Sequence, residues 1–230
     1  GIADAPQHYL ASHYAAISQS MGSVILIALA LVLLLVMMRD MTIEMVARSE
    51  TDPLSGLRNR RGFEVHGDAM VAIAMRRARP LTLVTVDIDR FKTINDRHGH
   101  AVGDQVIIAL ARLLSDATGE KDLVARLGGE EFALILANQN IEQAARSAEI
   151  LRQRVRAELS AAIGHEQEVS ASFGLAQLAP GEALSDLARR SDLALYEAKN
   201  TGRDKVSLAP VDKPSLAHGH PVLISSRTAA

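Results

Sequence analysis

Hydrophobic positions follow two different periods along most of this chain. Short runs of aliphatic and β-branched residues predict strands, and longer stretches with an apolar residue every three or four positions predict helices. Helices are predicted at residues 60–79, 141–162 and 184–199. Two more are predicted between residues 90 and about 116, a short one and a longer one separated by a glycine turn. Strands are predicted at residues 81–88, 123–127, 132–136, 168–176 and 205–208. This order predicts a mixed sheet with surrounding helices, an α+β fold.

In the first predicted strand, residues 81–88, every residue from 81 to 86 is aliphatic or β-branched. Such a run is typical of a central strand that is buried on both faces. Two acids, Asp87 and Asp89, stand at its carboxyl end. Since burying a lone carboxylate is costly, these acids either lie in solvent at the sheet edge or bind a cation.

The predicted hairpin turns at Gly128-Gly129-Glu130-Glu131-Phe132. Glycine lets a ligand approach the backbone closely because no Cβ intervenes. Carboxylates suit a hard cation such as Mg²⁺, which usually joins one or two protein carboxylates to substrate phosphates. The turn is therefore either a site for a metal-bound nucleotide or an exposed, solvated hairpin tip.

Polar residues on either side of the glycine turn between the two middle helices can recognise a base. A carboxylate such as Asp104 accepts hydrogen bonds from N–H groups, and an amide such as Asn95 both donates and accepts. Guanine presents N–H donors, so this pair favours guanine over adenine. The alternative is that Asn95 ends one helix and Asp104 begins the next as capping residues.

Two cations stand at the end of the last predicted helix. Lys199 and Arg203 flank Gly202, which suits a left-handed helix C-cap. These side chains either reach toward phosphate groups or complement the helix dipole in solvent.

An apolar stretch at residues 21–38 precedes all of these elements, and residues 24–38 are entirely apolar. Eighteen helical residues span roughly 27 Å, close to the hydrocarbon thickness of a bilayer. We expect a transmembrane helix rather than a signal-peptide core, which a basic segment would precede, or a buried soluble helix, which would show a polar stripe. Arginines follow the stretch and none precedes it, so the positive-inside rule predicts a cytoplasmic C-terminal part at the inner membrane.

Three flanking segments carry weaker patterns. Residues 1–20 are nearly uncharged, and we expect an extracytoplasmic segment that continues upstream, because the chain begins with Gly1 instead of Met. Residues 39–51 predict a helical stalk, either a short coiled coil or a plain amphipathic linker. Residues 209–230 contain prolines and little apolar periodicity, which predicts a disordered tail.

Composition excludes several kinds of site. The 230 residues carry 25 Lys and Arg against 27 Asp and Glu, so no basic excess argues for nucleic-acid binding. Aromatic residues make up 3% of the chain, too few for stacking platforms along a single strand. Cysteine is absent, which excludes disulfides and Cys-ligated metals and suits a reducing compartment.

Five blocks in a specific order resemble the GGDEF domain, the catalytic domain of diguanylate cyclases, over about residues 52–208. The blocks are Asp52-Pro53-Leu54-Ser55-Gly56-Leu57-Arg58-Asn59-Arg60, Asp87-Ile88-Asp89-Arg90-Phe91-Lys92 with Asn95-Asp96, Gly99-His100 with Gly103-Asp104, Gly128-Gly129-Glu130-Glu131-Phe132, and Tyr196-Glu197-Ala198-Lys199 with Gly202-Arg203. Glu130 stands where the family name has Asp, and this is an accepted variant.

The resemblance implies a fold like the palm of nucleotidyl cyclases and polymerases. It implies an enzyme that joins two GTP molecules into cyclic di-GMP with release of pyrophosphate, using Mg²⁺ or Mn²⁺. It also implies a homodimer, because one domain holds one GTP and two phosphodiester bonds must form.

The resemblance also implies a role for each matching residue. The implied metal ligands are Asp87, the Ile88 carbonyl and Glu130. The implied catalytic residues are Glu130, Glu131 and Lys92, with Glu130 or Glu131 as the base for the ribose 3′-OH. The implied substrate contacts are Leu54, Phe91, Lys92, Asn95, His100, Asp104, Gly128, Gly129, Lys199 and Arg203.

One position departs from the family pattern. Many members carry Arg-x-x-Asp five residues before the two glycines, where the product binds and inhibits. Here the run is Gly119-Glu120-Lys121-Asp122, so Asp122 is kept and Gly119 replaces Arg. Glycine cannot supply the planar guanidinium that recognises phosphate and guanine, and we expect weak or absent product inhibition.

Two other functions fit many of the same residues. A degenerate GGDEF module would bind GTP and regulate a partner without catalysis, but the acids and lysines of the site are intact here. A related cyclase would make a mixed dinucleotide, which Asn95 and Asp104 disfavour because they favour guanine.

Overall fold

The structure is a computed structural model that describes residues 17, 18, 20, 21, 24–38, 50–162 and 168–210. Contacts divide the chain into two units, Gly1–Ser49 and Glu50–Ala230. Most of the predicted extracytoplasmic segment, the stalk residues 39–49 and the tail residues 211–230 lie outside the described residues.

In the first unit, residues 24–38 are helical and their side chains are exposed. Val24 exposes 65% of its surface and Met38 exposes 57%. Among the residues that the structure describes, no helix combines the length and the apolarity needed to cross a bilayer. The membrane span at residues 21–38 therefore stays a prediction.

A five-stranded mixed sheet forms the centre of the second unit. Its strands are β1 (Leu81–Ile88), β2 (Leu123–Gly128), β3 (Glu131–Ala137), β4 (Ala171–Gln177) and β5 (Val206–Leu208), in the order β2-β3-β1-β4-β5. Neighbouring strands are antiparallel, except that β4 and β5 are parallel. All residues of the central strand β1 are buried, as its apolar sequence predicts.

Helices cover both faces of this sheet. They are α1 (Arg60–Arg77), α2 (Phe91–His98), α3 (His100–Asp116), α4 (Ile141–Ala162) and α5 (Leu184–Asn200). One core cluster joins α2, α3 and α4 to the sheet face that carries Val84 and Val86. The other joins α1 and α5 to the opposite face, which carries Leu81 and Leu83. The predicted α+β fold with a mixed sheet is confirmed.

The first motif, from Asp52 to Asn59, folds as a tight turn that begins α1. Asp52 Oδ1 accepts hydrogen bonds from the Ser55 N–H at 2.8 Å and the Ser55 hydroxyl at 2.6 Å. The Asn59 side chain then accepts from the Gly62 N–H at 2.9 Å and caps the helix. The Arg126 N–H donates to the Arg58 carbonyl at 2.8 Å, which attaches this turn to β2.

Helix α5 lies directly on the backbone of β4. A Cβ built on Gly174 would lie 2.2 Å from the Leu195 nitrogen and 2.3 Å from the Ser191 oxygen. No side chain other than hydrogen fits between the helix and the strand at this point. This close packing fixes the height of α5 above the sheet, and α5 also carries Lys199.

Candidate active site

Three acids meet at the carboxyl end of β1. The pairing of β1 with β3 places Asp87 opposite Glu131, and the Ile88 N–H donates to the Glu130 carbonyl at 3.4 Å. Asp87 is only 5% exposed, whereas Glu130 and Glu131 are partly exposed. The glycine turn predicted from the sequence therefore lies beside the acidic end of the central strand.

A lysine from α5 neutralises part of this negative charge. The Lys199 Nζ lies 2.7 Å from Asp87 Oδ2. Burial raises the pKa of Asp87 to about 6, Lys199 opposes that rise, and the charges of Glu130 and Glu131 add to it. Burial also raises the pKa of Glu131, against the opposing effect of Lys199 and Arg60. Burial is therefore the main reason that both pKa values are raised, and Lys199 offsets only part of its effect.

These acids fit a divalent cation of the Mg²⁺ kind. Mg²⁺ takes oxygen ligands from one or two carboxylates and completes its shell with substrate phosphates and water. Asp87, Glu130 and the Ile88 carbonyl offer such a set, and a cation there would stabilise the ionised Asp87, whose pKa burial raises. Within the described parts of the chain, no group of three or more His, Cys, Asp and Glu side chains forms a metal site by itself.

The glycine turn has open space beside its backbone, and Arg126 holds it in place with hydrogen bonds. Gly128 and Gly129 have φ angles of +149° and +51°, which favour glycine, and a Cβ on either would meet no atom within 4 Å. Arg126 donates to the Gly129 carbonyl from Nε at 3.0 Å and from Nη2 at 2.8 Å. Its Nη1 also contacts Asp52 Oδ1 at 2.9 Å. Arg126 therefore ties the first motif to the turn, a role that its place in an apolar run did not signal.

The junction of α2 and α3 brings together the residues predicted to recognise guanine. Asn95 lies inside α2 and Asp104 inside α3, so neither caps a helix. A Cβ on Gly103 would lie 1.9 Å from Asn95 Oδ1, which shows how closely the two helices meet. That Oδ1 atom is buried and has no hydrogen-bond partner in the structure. Because buried polar atoms are normally paired, this oxygen is the atom of the junction that a donor would satisfy.

The other predicted base contacts lie around the same junction. His100 and Asp104 are exposed and stand four residues apart on α3, so they share one helix face. Leu54 is partly buried and packs against the core cluster that includes Phe91. Contact of these residues with a nucleotide stays a prediction.

The predicted phosphate contacts lie at two chain segments next to the acids. Arg90 has a left-handed φ of 54°, and α2 begins at Phe91 without a capping side chain. Helix N-termini of this kind attract anions. Lys92 is exposed in this first turn, but the Phe91 side chain is only 8% exposed, so Phe91 can contact a ligand through its backbone alone. Arg203 is exposed in the loop that follows α5.

Asp89 is neither solvated nor free for a cation, unlike both alternatives that the sequence left open. It is 7% exposed and accepts hydrogen bonds at 2.7 Å from the hydroxyls of Ser170 and Ser172. The Asp204 N–H donates to it at 3.0 Å. Asp89 is therefore a structural carboxylate that joins β1 to β4 and to the loop before β5.

Asp122, kept from the inhibitory motif, is also occupied by the protein. Its Oδ2 accepts from the Gly119 N–H at 2.9 Å, and its Oδ1 accepts from the Ala137 N–H at 2.8 Å. The side chain closes the turn before β2 onto the end of β3.

One further acid, which is partly buried, was not predicted from the sequence. Asp192 on α5 faces Thr85 at the middle of β1, and burial raises its pKa to about 6. It lines a cavity of about 530 Å³ between α1 and α5, together with Arg60 and Thr85. None of the three acids at the end of β1 lines this cavity.

The site combines an acidic sheet edge, an open glycine turn, an uncapped helix start and a helix junction with an unpaired amide oxygen. These features are those of a class of α+β domain suited to a nucleotide with its metal ion. The family model described as "Diguanylate cyclase, GGDEF domain" matches residues 49–205. The chain belongs to the GGDEF domain family.

Relatives support this assignment. A diguanylate cyclase of Vibrio cholerae is 37% identical over 158 residues, which cover 68% of this chain and 49% of the relative. Diguanylate cyclase DgcM of Escherichia coli is 39% identical over 158 residues, covering 69% of this chain and 38% of DgcM. The chain thus spans half or less of the length of these relatives.

Solved structures share the fold. The GGDEF domain of DgcB from Caulobacter crescentus, in complex with cyclic di-GMP, has a TM-score of 0.65 at 33% identity and covers 70% of this chain and 93% of that one. The active GGEEF domain of a Vibrio cholerae diguanylate cyclase has a TM-score of 0.64 at 37% identity, covering 68% and 99%. The coiled coil and GGDEF domain of DgcB has a TM-score of 0.66 at 28% identity, covering 86% and 100%.

Proposed function

We propose that this chain is a diguanylate cyclase, which condenses two GTP molecules into cyclic di-GMP and releases two pyrophosphates. The observation that carries the proposal is the convergence of Asp87, Glu130 and Glu131 beside an open glycine turn, with Lys199 against Asp87. The similar Vibrio cholerae domain, described as active, has the same Glu in the third motif position as this chain.

Each half of the reaction is an attack by a ribose 3′-OH on an α-phosphate. The O3′–P bond forms, the bond to the leaving pyrophosphate breaks, and a carboxylate accepts the hydroxyl proton. Glu131 suits that task because burial raises its pKa, and Glu130 is the alternative acceptor. Bound Mg²⁺ or Mn²⁺, held by Asp87, Glu130 and the Ile88 carbonyl, would neutralise charge on the phosphoryl oxygens. Lys92, Lys199 and Arg203 bind the triphosphate, as do the N–H groups at the start of α2.

The base is guanine in this proposal. Asn95 supplies an amide whose oxygen lacks a partner, and Asp104 supplies a carboxylate for the N–H groups of guanine. His100 and Leu54 border the same pocket. Gly128 and Gly129 leave room for the GTP phosphates and ribose against the turn.

The active form is a homodimer at the inner membrane. Residues 21–38 anchor it in the membrane. Support for this anchor comes from the apolar run, its exposed helical side chains and the arginines that follow it. Residues 39–51 link the anchor to the catalytic domain, and the similarity to the coiled coil and GGDEF domain of DgcB supports a helical stalk. The proposed reaction involves no nucleic acid as a partner.

Product inhibition through the Arg-x-x-Asp site is absent in this proposal. Gly119 lacks the guanidinium of that motif, and both carboxylate oxygens of Asp122 already bond to backbone N–H groups.

The deciding experiment is to incubate the purified chain with Mg²⁺ and GTP, with and without ATP, and to identify products by mass. We expect cyclic di-GMP and pyrophosphate from GTP alone, no mixed dinucleotide with ATP, and no product from an Asp87→Asn control. GTP binding without any product at high protein concentration would instead identify a regulatory module, and a mixed product would identify a cyclase of different specificity.

A further inference from the structure

The loop between α5 and β5 has an unusual backbone. Three consecutive residues have positive φ: Gly202 at 125°, Arg203 at 62° and Asp204 at 45°. Glycine adopts such angles without cost, but Arg and Asp do so only where surrounding contacts hold them. Arg203 is also the residue that the proposed function places on the substrate phosphates.

Helix α4 supplies the contacts that hold this loop. Arg152 Nη1 lies 2.6 Å from Asp204 Oδ1, and Arg156 Nη1 lies 3.0 Å from Asp204 Oδ2. Glu149 fixes Arg152 through two hydrogen bonds, of 2.9 and 2.7 Å. The side chains of Arg152 and Asp204 are only 17% and 23% exposed, so solvent screens this pair less than a surface ion pair.

The same loop is attached to the acidic end of β1. The Asp204 N–H donates to Asp89, which Ser170 and Ser172 hold from β4 and its preceding residue. Asp89 stands two residues after the metal-ligand candidate Asp87 on the same segment. The loop is therefore anchored on one side to α4 and on the other to the strand end where the acids meet.

We propose that Arg152, Asp204 and Asp89 form a positioning network that holds Arg203 in place to bind the phosphates of GTP. The inference rests on the proposed function, because only that function gives Arg203 a ligand. Arg152 acts through Asp204 and the loop, and contacts no substrate. A general loss of stability would weaken phosphate binding and base binding alike. Loss of this network should weaken phosphate binding and leave base binding unchanged.

Two non-reacting ligands separate these effects. 3′-Deoxy-GTP lacks the attacking hydroxyl, and 3′-deoxyguanosine lacks the phosphates as well, so the ratio of their dissociation constants reports phosphate binding alone. The variants are Arg152→Met, the conservative Arg152→Lys and Arg203→Ala. Arg154→Met is the matched control, since Arg154 lies on the same helix and pairs only with exposed Glu158 in the structure described.

We expect Arg152→Met to weaken 3′-deoxy-GTP binding by roughly tenfold with an unchanged dissociation constant for 3′-deoxyguanosine. Arg152→Lys should recover part of this loss, and Arg154→Met should match the unmodified chain. In the Arg203→Ala background, Arg152→Met should add little, because the residue through which it acts is gone.

The outcomes distinguish the inference from the proposed function. If Arg203→Ala itself leaves 3′-deoxy-GTP binding unchanged, the phosphate role of Arg203 is wrong and the inference falls with it, whereas cyclic di-GMP formation by the unmodified chain would still support the function. If Arg203→Ala weakens binding but Arg152→Met does not, or weakens both ligands equally, the positioning network is wrong. Thermal unfolding of each variant shows whether the loss of binding reflects unfolding.

Discussion

At the scale of single residues, the buried and partly buried acids of this domain differ in the hydrogen-bond donors that satisfy them. Asp89 accepts three hydrogen bonds from protein donors, and Asp122 accepts two from backbone N–H groups. Asp87 has Lys199 beside it, with two more acids close enough to raise its pKa. A buried acid that has too few hydrogen-bond donors from the protein is suited to bind a ligand. This criterion separates Asp87 from its neighbour Asp89.

Asn95 gives a prediction that follows from the same criterion. Its Oδ1 has no partner to lose, so Asn95→Ala should leave the thermal unfolding temperature nearly unchanged. The KM for GTP should rise roughly tenfold, because the base loses a hydrogen bond. Steady-state kinetics and thermal unfolding measure the two effects.

Gly103→Ala is the matched test of this pocket. Its new Cβ would lie 1.9 Å from Asn95 Oδ1 and must displace that side chain, so the KM should rise without removal of the amide. The double variant should be no worse than Asn95→Ala in KM. An unchanged KM in both single variants would contradict the assigned pocket.

Asp192 gives a prediction about pH and stability. Burial raises its pKa in the folded chain from 3.8 to about 6, against a hydrogen bond from Thr85, while Glu131 raises it and Arg60 and Lys199 lower it. The folded state therefore favours the protonated acid, and ionisation above pH 6 costs stability that is recovered as the pH falls toward 3.8. Asp192→Asn should raise the free energy of unfolding at pH 7.5 by at most about 3 kcal/mol, and by much less near pH 4.

Denaturant titrations of both chains at these two pH values make the comparison. Asp186→Asn on the same helix is the control, because Asp186 is 55% exposed and should change the free energy of unfolding by less than about 0.5 kcal/mol. A gain from Asp192→Asn that is equal at both pH values would show that the ionised form is not penalised in the fold.

The sequence could predict the acids of the site more easily than their surroundings. Asp87 and Asp89 look alike in the sequence, since both end the same strand. What separates them is Ser170 and Ser172, more than eighty residues later, which only the pairing of β1 with β4 brings to Asp89. Long-range partners of this kind leave no local pattern, and neither does the hold of Arg126 on the glycine turn.

At the scale of elements, β4 shows why alternation in a sequence can mislead. Its apolar and polar residues alternate, a pattern that is typical of a strand with one solvated face, but nearly every residue of β4 is buried. Phe173 and Leu175 fill one core, while Ser172 and Gly174 face the other side, where α5 lies on the strand itself. In the folded strand, the residues of β4 alternate in size. The other strands and helices could be predicted because the spacing of their apolar residues matches the period of a strand or a helix.

Gly174 gives a prediction at this scale. Gly174→Ala places a Cβ against backbone atoms of Ser191 and Leu195, which cannot rotate away, so α5 must shift from the sheet. We expect a loss of roughly 2–4 kcal/mol in the free energy of unfolding. Activity should fall as well, because α5 carries Lys199.

Gly119→Ala is the matched control for this loss. Its Cβ would meet only Asp122 Oδ2, at an ordinary 3.6 Å. Denaturant unfolding of both variants makes the comparison, and equal stability of Gly174→Ala and the unmodified chain would refute the close packing of α5 on β4.

The turn before β2 gives a prediction about regulation. The purified chain should keep its rate when cyclic di-GMP is added, because Gly119 offers no guanidinium. Gly119→Arg should be inhibited by cyclic di-GMP at concentrations at least roughly tenfold below those that affect the unmodified chain. A Cβ at this position meets only Asp122 Oδ2, at 3.6 Å, and the new side chain supplies the missing guanidinium.

Gly119→Lys is the matched variant, because it adds a charge without the planar fork and should gain less. Initial rates across a titration of cyclic di-GMP measure all three chains. Tight inhibition of the unmodified chain that Asp122→Ala abolishes would overturn the prediction.

At the scale of the whole molecule, the proposed function assigns to the described residues one acidic strand end and one site for a base, and so one GTP. A cyclic product needs two 3′-OH groups and two α-phosphates, so the proposed function requires two such domains to meet with their turns facing each other. The apolar helix and the predicted stalk then have a mechanistic purpose, because whatever holds two copies close raises the effective concentration of one half-site at the other.

This requirement predicts how active and inactive chains mix. Suppose that unmodified and Asp87→Asn chains exchange freely in detergent at a fixed total concentration and in equal amounts. Only pairs of two unmodified chains carry both metal sites, so cyclic di-GMP formation should fall to about one quarter of that of the unmodified protein. Chains that complete the reaction alone would give one half instead, and product counting by mass distinguishes the two values. Dilution adds an independent check, because the rate per chain should fall as pairs separate, whereas a single-chain enzyme would keep a constant rate per chain.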